Sequence, residues 1–105
     1  MGQGTKIRFT QATLRILQTF LENVGQELSG ANVWQRTKIG AGSRYPILRR
    51  LEEAGWLTSR WEEIDPREAG RPRQRFYKLS ALGQAEACSA LREREILGDF
   101  SWNTL

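Results

Sequence analysis

The sequence predicts an α+β, mainly α fold: a winged helix-turn-helix of three helices and a two-stranded wing, followed by a C-terminal helix. Three observations predict it. The run Gly42-Ser43-Arg44-Tyr45-Pro46-Ile47-Leu48-Arg49-Arg50-Leu51-Glu52-Glu53-Ala54-Gly55-Trp56-Leu57 reads as a short helix that stops at a glycine and turns into a strand. Further on, Gly70-Arg71-Pro72-Arg73-Gln74-Arg75-Phe76-Tyr77-Lys78-Leu79 reads as a basic turn feeding a second strand. Upstream, two helical segments open at Thr10 and Ser29.

Thr10 suits the N-cap of the first helix, with Phe9 and Leu14 at hydrophobic-staple spacing. Leu14, Leu17, Leu21 and Val24 then recur at helical period, widened by Thr13, Ile16 and Phe20, until Gly25 ends the run. Ser29 caps the second helix, Leu28 and Val33 repeat the staple, and Trp34 is expected in the core. That helix fades around Lys38-Ile39-Gly40, and Ala41-Gly42 is read as the turn. Ser43 then becomes the N-cap of the third helix, which places Pro46 at N3, where no intrahelical donor is needed. Gly55 supplies the C′ position. Trp56 to Glu63 is rich in β-formers, Ile64 to Pro72 is a punctuated loop, and Arg73 to Leu79 returns as the second strand. Ser80 caps a last helix running to Leu97, and Gly98 to Leu105 is a tail carrying Phe100 and Trp102. Residues 1–80 form the winged helix-turn-helix and 81–105 the C-terminal helix and tail.

Composition narrows the class. At 105 residues with 39% hydrophobic residues, one domain with one core is expected. The single Cys88 excludes an internal disulfide, which fits a reducing cytoplasm. No apolar run approaches the roughly 20 residues of a membrane span, and Met1 to Lys6 lacks a signal-peptide core. A soluble, cytoplasmic protein with no membrane partner is expected. There is no histidine, which removes the commonest general base and most zinc sites. No phosphate-binding glycine loop and no metal-ligand spacing compensate, so neither an enzyme nor a metal or other cofactor is expected.

The charge points to a polyanion. Net charge is +4, and Arg36 to Lys78 holds 11 Lys/Arg against 6 Asp/Glu, leaving about −1 for the rest. On a helical wheel Ile47, Leu48 and Leu51 share the inward side of the third helix. Tyr45, Pro46, Arg49 and Arg50 take the other arc, with Ser43 near its edge. Outward residues near the start of such a helix reach base edges or phosphates of double-stranded DNA. An arginine pairs bidentately with guanine, and a tyrosine hydroxyl suits a phosphate. Arg49 and Glu53, four apart, read equally as a surface ion pair. Arg71, Arg73 and Arg75 alternate, so they share a strand face or lie along the wing tip, reaching phosphates or a narrow minor groove. A solvated, charge-protected edge is the bland alternative. Arg60 is a weaker candidate on the partner strand, and Trp56 and Trp61 are expected to pack between wing and core. Arg36 and Lys38 close the second helix as backbone anchors, or merely complement its dipole.

These residues resemble the PadR family of bacterial transcriptional regulators, specifically its short members. The matching pattern runs through Leu28-Ser29-Gly30, Trp34, Gly42-Ser43, Tyr45-Pro46, Leu48, Arg50-Leu51-Glu52 and Gly55-Trp56-Leu57. It continues through Trp61-Glu62, Gly70-Arg71-Pro72-Arg73 and Tyr77-Lys78-Leu79-Ser80. The resemblance implies a winged-helix homodimer that represses by occupying a two-fold symmetric operator. It also implies dimerisation through the last helix and, in many members, control by a small aromatic or drug-like effector. Arg44 departs from the pattern, standing where an aliphatic residue is usual and on the side of Leu48 and Leu51. Because a buried unpaired guanidinium is costly, Arg44 is expected to snorkel outward and add a DNA contact. In the last helix Leu82, Ala85, Ser89 and Ile96 make a dimer stripe that Cys88 and Leu91 widen, along with Leu97, and that Arg92 interrupts. Cys88 is read as a small packed residue rather than a redox sensor. Two other readings stay open: a winged helix that binds a protein, and an architectural DNA-binding protein without an effector.

Overall fold

In the computed structural model, which describes residues 6–97, the caps lay out the helices as the sequence suggests. Helix α1 spans Gln11–Leu21, and the Thr10 hydroxyl accepts from the Thr13 amide at 3.1 Å. Its apolar arc, Leu14, Ile16, Leu17 and Phe20, is buried, but the helix ends before Val24, which is exposed. Gly25 (φ 85°) then turns the chain.

Two residues, Leu28 and Ser29, form β1, an element that sequence periodicity does not reveal. They pair antiparallel with Tyr77 and Phe76 of β3 (Arg75–Leu79), which pairs in turn with β2 (Leu57–Trp61). The sheet order is β1-β3-β2. Ser29 also caps α2 (Gly30–Thr37) through a reciprocal box: its hydroxyl accepts from the Asn32 amide, and Asn32 Oδ1 accepts from the Ser29 amide. Trp34 is not in the core. It is 42% exposed, and the Lys38 ammonium lies 5.2 Å from its ring.

Helix α3 (Ala41–Glu53) begins three residues earlier than the serine-cap reading implies. Gly40 is the N-cap and offers no side chain to the first turn. Ser43 is therefore the third helical residue, and Pro46 lies inside the helix at the sixth rather than at N3. Proline there removes one intrahelical donor, a loss partly offset because the orphaned carbonyl sits in the exposed first turn. The C-terminus follows expectation. Gly55 (φ 84°) donates to the Glu52 carbonyl and the Trp56 amide to the Leu51 carbonyl, a Schellman closure with Leu51 and Trp56 both buried.

The wing connection contains a short helix α4 (Pro66–Ala69) in place of a plain loop; Asp65 caps it and Gly70 (φ 72°) closes it. Both strands are shorter than expected. Trp56 packs in the core beside Phe9, ring centroids 6.1 Å apart, whereas Trp61 is 57% exposed and does not pack inward. Helix α5 (Ala81–Leu97) opens on Ser80, whose hydroxyl accepts from the Gly83 amide at 2.9 Å. It packs on α1, and its Ala87, Ala90 and Leu91 are buried. The side chains of Ile96 and Leu97 and the tail from Gly98 to Leu105 lie outside the described residues.

A Cβ built on Gly83 would lie 2.0 Å from the Trp56 carbonyl oxygen, which is backbone and cannot swing aside. At Gly42 a Cβ meets nothing within 4 Å. Gly83→Ala should therefore destabilise the fold by about 1–3 kcal/mol, typical of overpacking, while Gly42→Ala should cost nothing. Urea unfolding of both variants checks this, and equal midpoints would refute the close approach.

Candidate nucleic-acid interface

The outward face of α3 is built as the wheel predicts. Ile47, Leu48 and Leu51 are buried, and Ser43, Tyr45, Pro46, Arg49 and Arg50 are exposed. Arg49 Nε lies 3.7 Å from Glu53 Oε2, the loose surface pair that the i,i+4 spacing suggests. Arg50 has no ion-pair partner among the described residues. Tyr45 leans across the start of α2: a Cβ on Gly30 would lie 2.9 Å from its hydroxyl oxygen. A glycine directly after the Ser29 cap was the available sequence signal for this close approach, and sequence reasoning missed it.

Arg44 corrects the snorkelling expectation. It is 8% exposed and folds back so that Nη1 donates to the Ile39 carbonyl at 2.8 Å. Its guanidinium carbon sits 4.8 Å from the Tyr45 ring centre, and Nε has no partner. The group is not displayed on the open face with Arg49.

Beside α3 stands the wing. Arg71 and Arg73 lie on its tip and only Arg75 belongs to a strand, so the three do not form one strand face. Each is already held. Arg71 donates from both terminal nitrogens to Glu62 at 2.8 Å, and the same carboxylate accepts from the Gln74 amide. Arg73 Nε donates to the Ile64 carbonyl at 3.0 Å. Arg75 lies 3.6 Å from Glu52 and stacks on its cross-strand partner Trp61, 4.8 Å from the ring centre. Glu52 also accepts from the Ser59 hydroxyl. Arg60 makes a two-pronged pair with Glu27 at 2.6 and 2.7 Å and stacks on Phe76. Between α3 and the wing runs a groove of about 430 Å³, lined by Gly30, Tyr45, Trp61, Arg73, Arg75 and Tyr77 among others. Burial, with Glu52 nearby, raises the Tyr77 phenol above its usual pKa.

Of the α2 residues, Arg36 donates to Asn23 Oδ1 at 3.1 Å, and Lys38 takes a left-handed conformation (φ 60°) at the C-cap. Both are exposed, at the far end of α2 from Tyr45's contact. On α5, Leu82 (51% exposed), Ala85 and Ser89 face solvent and Cys88 is half-buried. Leu91 is fully buried against its own domain, so it is a core residue of the single chain and does not widen the stripe. Among the described residues no group of acidic, cysteine or histidine side chains is placed to hold a metal. No helix among them is long and apolar enough to cross a membrane.

A capped helix pair, a short turn and an antiparallel wing packed on one core define a winged helix-turn-helix protein. The particular family follows from the sequence profile: the Transcriptional regulator PadR-like family matches residues 17–89, most of the chain, and the protein belongs to it. It is a family of transcriptional regulators, not enzymes. Solved structures agree on the fold. A PadR-like transcription factor from Bacteroides fragilis superposes with a TM-score of 0.67 at 19% identity, over 85% of this chain and 87% of that one. A PadR family regulator from Eggerthella lenta gives 0.67 at 19%, over 85% and 80%. Reduced AbfR bound to DNA gives 0.63 at 19%, over 90% and 62%. No functionally curated protein matches the chain.

The Arg71 hydrogen bonds are the largest cause holding the Glu62 carboxyl down at about 2. A depressed acid pKa contributes stability that is fully present above the unfolded value and is lost as pH falls through the folded one. The Glu62–Arg71 clasp should thus survive acidification through pH 4.5 and open only near pH 2. A carboxyl-carbon NMR titration of Glu62 reads this directly; a midpoint near 4.5 would mean that the clasp does not form in solution.

Proposed function

We propose that this protein is a repressor that binds duplex DNA as a homodimer on a two-fold symmetric operator. The observation that carries the reading is the outward face of α3. In a PadR-like regulator it displays Ser43, Tyr45, Pro46, Arg49 and Arg50 together beside an arginine-bearing wing. Helix α3 enters the major groove, where Arg49 reads base edges, Tyr45 takes a phosphate and Ser43 contacts the DNA from the first turn. Arg71, Arg73 and Arg75 grip the flanking backbone, and Arg36 and Lys38 anchor a phosphate at the end of α2. The relative bound to DNA supports this assignment for the fold. Residues 81–105 form the dimerisation element, through Leu82, Ala85, Cys88, Ser89 and Ile96. Two copies then present recognition helices about 34 Å apart, or a multiple of that. A small aromatic effector and a cytoplasmic setting complete the reading. Selection of bound duplexes from random DNA tests it: a two-fold symmetric consensus is expected, and indifference between selected and scrambled DNA would end the repressor reading.

Arg49→Ala should lower discrimination between operator and scrambled DNA by about 1–3 kcal/mol, because a bidentate base contact carries specificity. Full retention of the preference in a gel-shift competition would remove Arg49 from base reading.

Leu82→Glu should lower dimer mass in light scattering and operator affinity together. Leu82 is half exposed, so the substitution spares the core of the single chain. A monomer that still binds operator tightly would overturn the dimer.

The Arg71→Ala, Arg73→Ala double variant should weaken binding to all duplexes and flatten the log–log salt slope. Four bare contacts per dimer would remove about 3.6 units. Because Arg71 carries Glu62 with it, the fall should be smaller. An unchanged slope would leave the wing tip as a solvated edge.

A further inference from the structure

The guanidinium of Arg44 is buried, unlike those of the ion-paired arginines around it. Arg49, Arg60, Arg71 and Arg75 each reach a glutamate. Arg44 reaches none among the described residues, although it is the most buried of the five. Its Nη1 is spent on the Ile39 carbonyl, one residue before the N-cap of α3, and its Nε is buried without a partner. A guanidinium keeps its charge at any ordinary pH, and burying an unpaired charge is costly. Beside it lies the amino end of α3, a second centre of positive potential. Gly40 offers that end no side-chain cap, and the first turn holds no acidic residue. At Gly40 and Gly42 the space where a Cβ would sit meets no atom within 4 Å, so the first turn is open to an incoming group. Two like potentials brought together without an internal anion call for an external one.

We propose that the amino end of α3 and Arg44 form an anion site for a single phosphodiester of the DNA backbone. The amides of Ala41 and Gly42 and the Ser43 hydroxyl donate to the phosphate, and the Arg44 guanidinium neutralises it from behind. The site rests on the DNA-binding reading above and adds to it a specific locus. It fixes how deeply α3 enters the groove, because a phosphate seated on the first turn sets the height of Tyr45 and Arg49 over the bases. Arg44 then exchanges a better-packed aliphatic core for a phosphate anchor.

Two arms test the site with the full chain. In the first, melting temperature is followed in inorganic phosphate and in chloride at equal ionic strength, for the native protein, Arg44→Leu and Arg44→Met. Phosphate stabilises most proteins by exclusion, so the readout is the difference between proteins. The native chain should gain several degrees more than either variant, and both variants should melt higher than it does in chloride. An equal phosphate gain overturns the anion site while leaving DNA binding intact. In the second arm, single phosphates of a bound duplex are replaced by neutral methylphosphonates. The native protein should lose about tenfold in affinity at one position per half-site, a sensitivity absent in Arg44→Leu. A phosphate gain in the first arm without such a position would assign the site to a free phosphate compound and overturn the backbone as its source. A native protein that binds no duplex would overturn the DNA-binding reading itself, and the backbone assignment with it.

Discussion

The junction of Gly55, Trp56, Ser80 and Gly83 is the constraint on which the arrangement of this protein depends. The Ser80 hydroxyl donates to the Gly55 carbonyl at 2.6 Å and accepts from the Gly83 amide, while the Ser80 amide donates to the Trp56 carbonyl at 2.9 Å. Four elements start or stop there: α3 ends, β2 begins, β3 ends and α5 begins. The backbone of α5 approaches the Trp56 carbonyl so closely that only glycine fits. Trp56 itself is buried against Phe9 and closes the α3 C-terminus. The direction of the outward face of α3, the rise of the wing and the departure of the last helix are therefore fixed by one knot of backbone bonds. Loops alone would hold them far less firmly.

On the face that α3 and the wing share, a second regularity appears. Arginines there, Arg50 excepted, are held before any partner arrives, by carboxylates, carbonyls and aromatic rings. Exposed ion pairs contribute little stability, so their main effect is geometric. A two-pronged carboxylate fixes a planar guanidinium in one orientation and lowers the entropy lost when it meets a phosphate. The same carboxylates oppose indiscriminate attraction to polyanions, since each offsets the charge of the arginine that it holds. Net charge near the wing thus understates how well its donors are aimed, and overstates how strongly they act at a distance.

Much of this was legible in the sequence because caps and periodicity are local. Thr10, Ser29, Gly55 and Ser80 mark boundaries through bonds made within a few residues, and all four act as read. The inward and outward arcs of α3 followed from helical period alone. The misreadings have physical reasons. Ser43 carries a good capping side chain, yet the helix starts at Ala41 after Gly40, because nothing in Ala41 or Gly42 resists helical geometry. The strand β1 exists only because β3 lies beside it, which no two-residue pattern can announce. Hydrophobicity alone points Trp34 and Trp61 inward, but a cation lies over the ring of each instead. The wing pairs join residues 9 to 33 positions apart, beyond the reach of spacing rules.

Arg44 shows how two local rules are weighed when they conflict. Helical period placed it with Leu48 and Leu51, and the cost of burying charge argued that it must escape. Period prevailed, because the Ile39 carbonyl and the face of Tyr45 lie within reach and recover part of that cost. Tyr45 is in turn braced against Gly30 at the start of α2. The buried guanidinium therefore couples the two helices of the helix-turn-helix through a side chain that also belongs to the outward face. A substitution at Arg44 acts on core packing and on the seat of Tyr45 at once, and an aliphatic residue would improve the first while loosening the second. Such a position is kept polar only where the geometry it imposes on its neighbour outweighs the packing it forgoes.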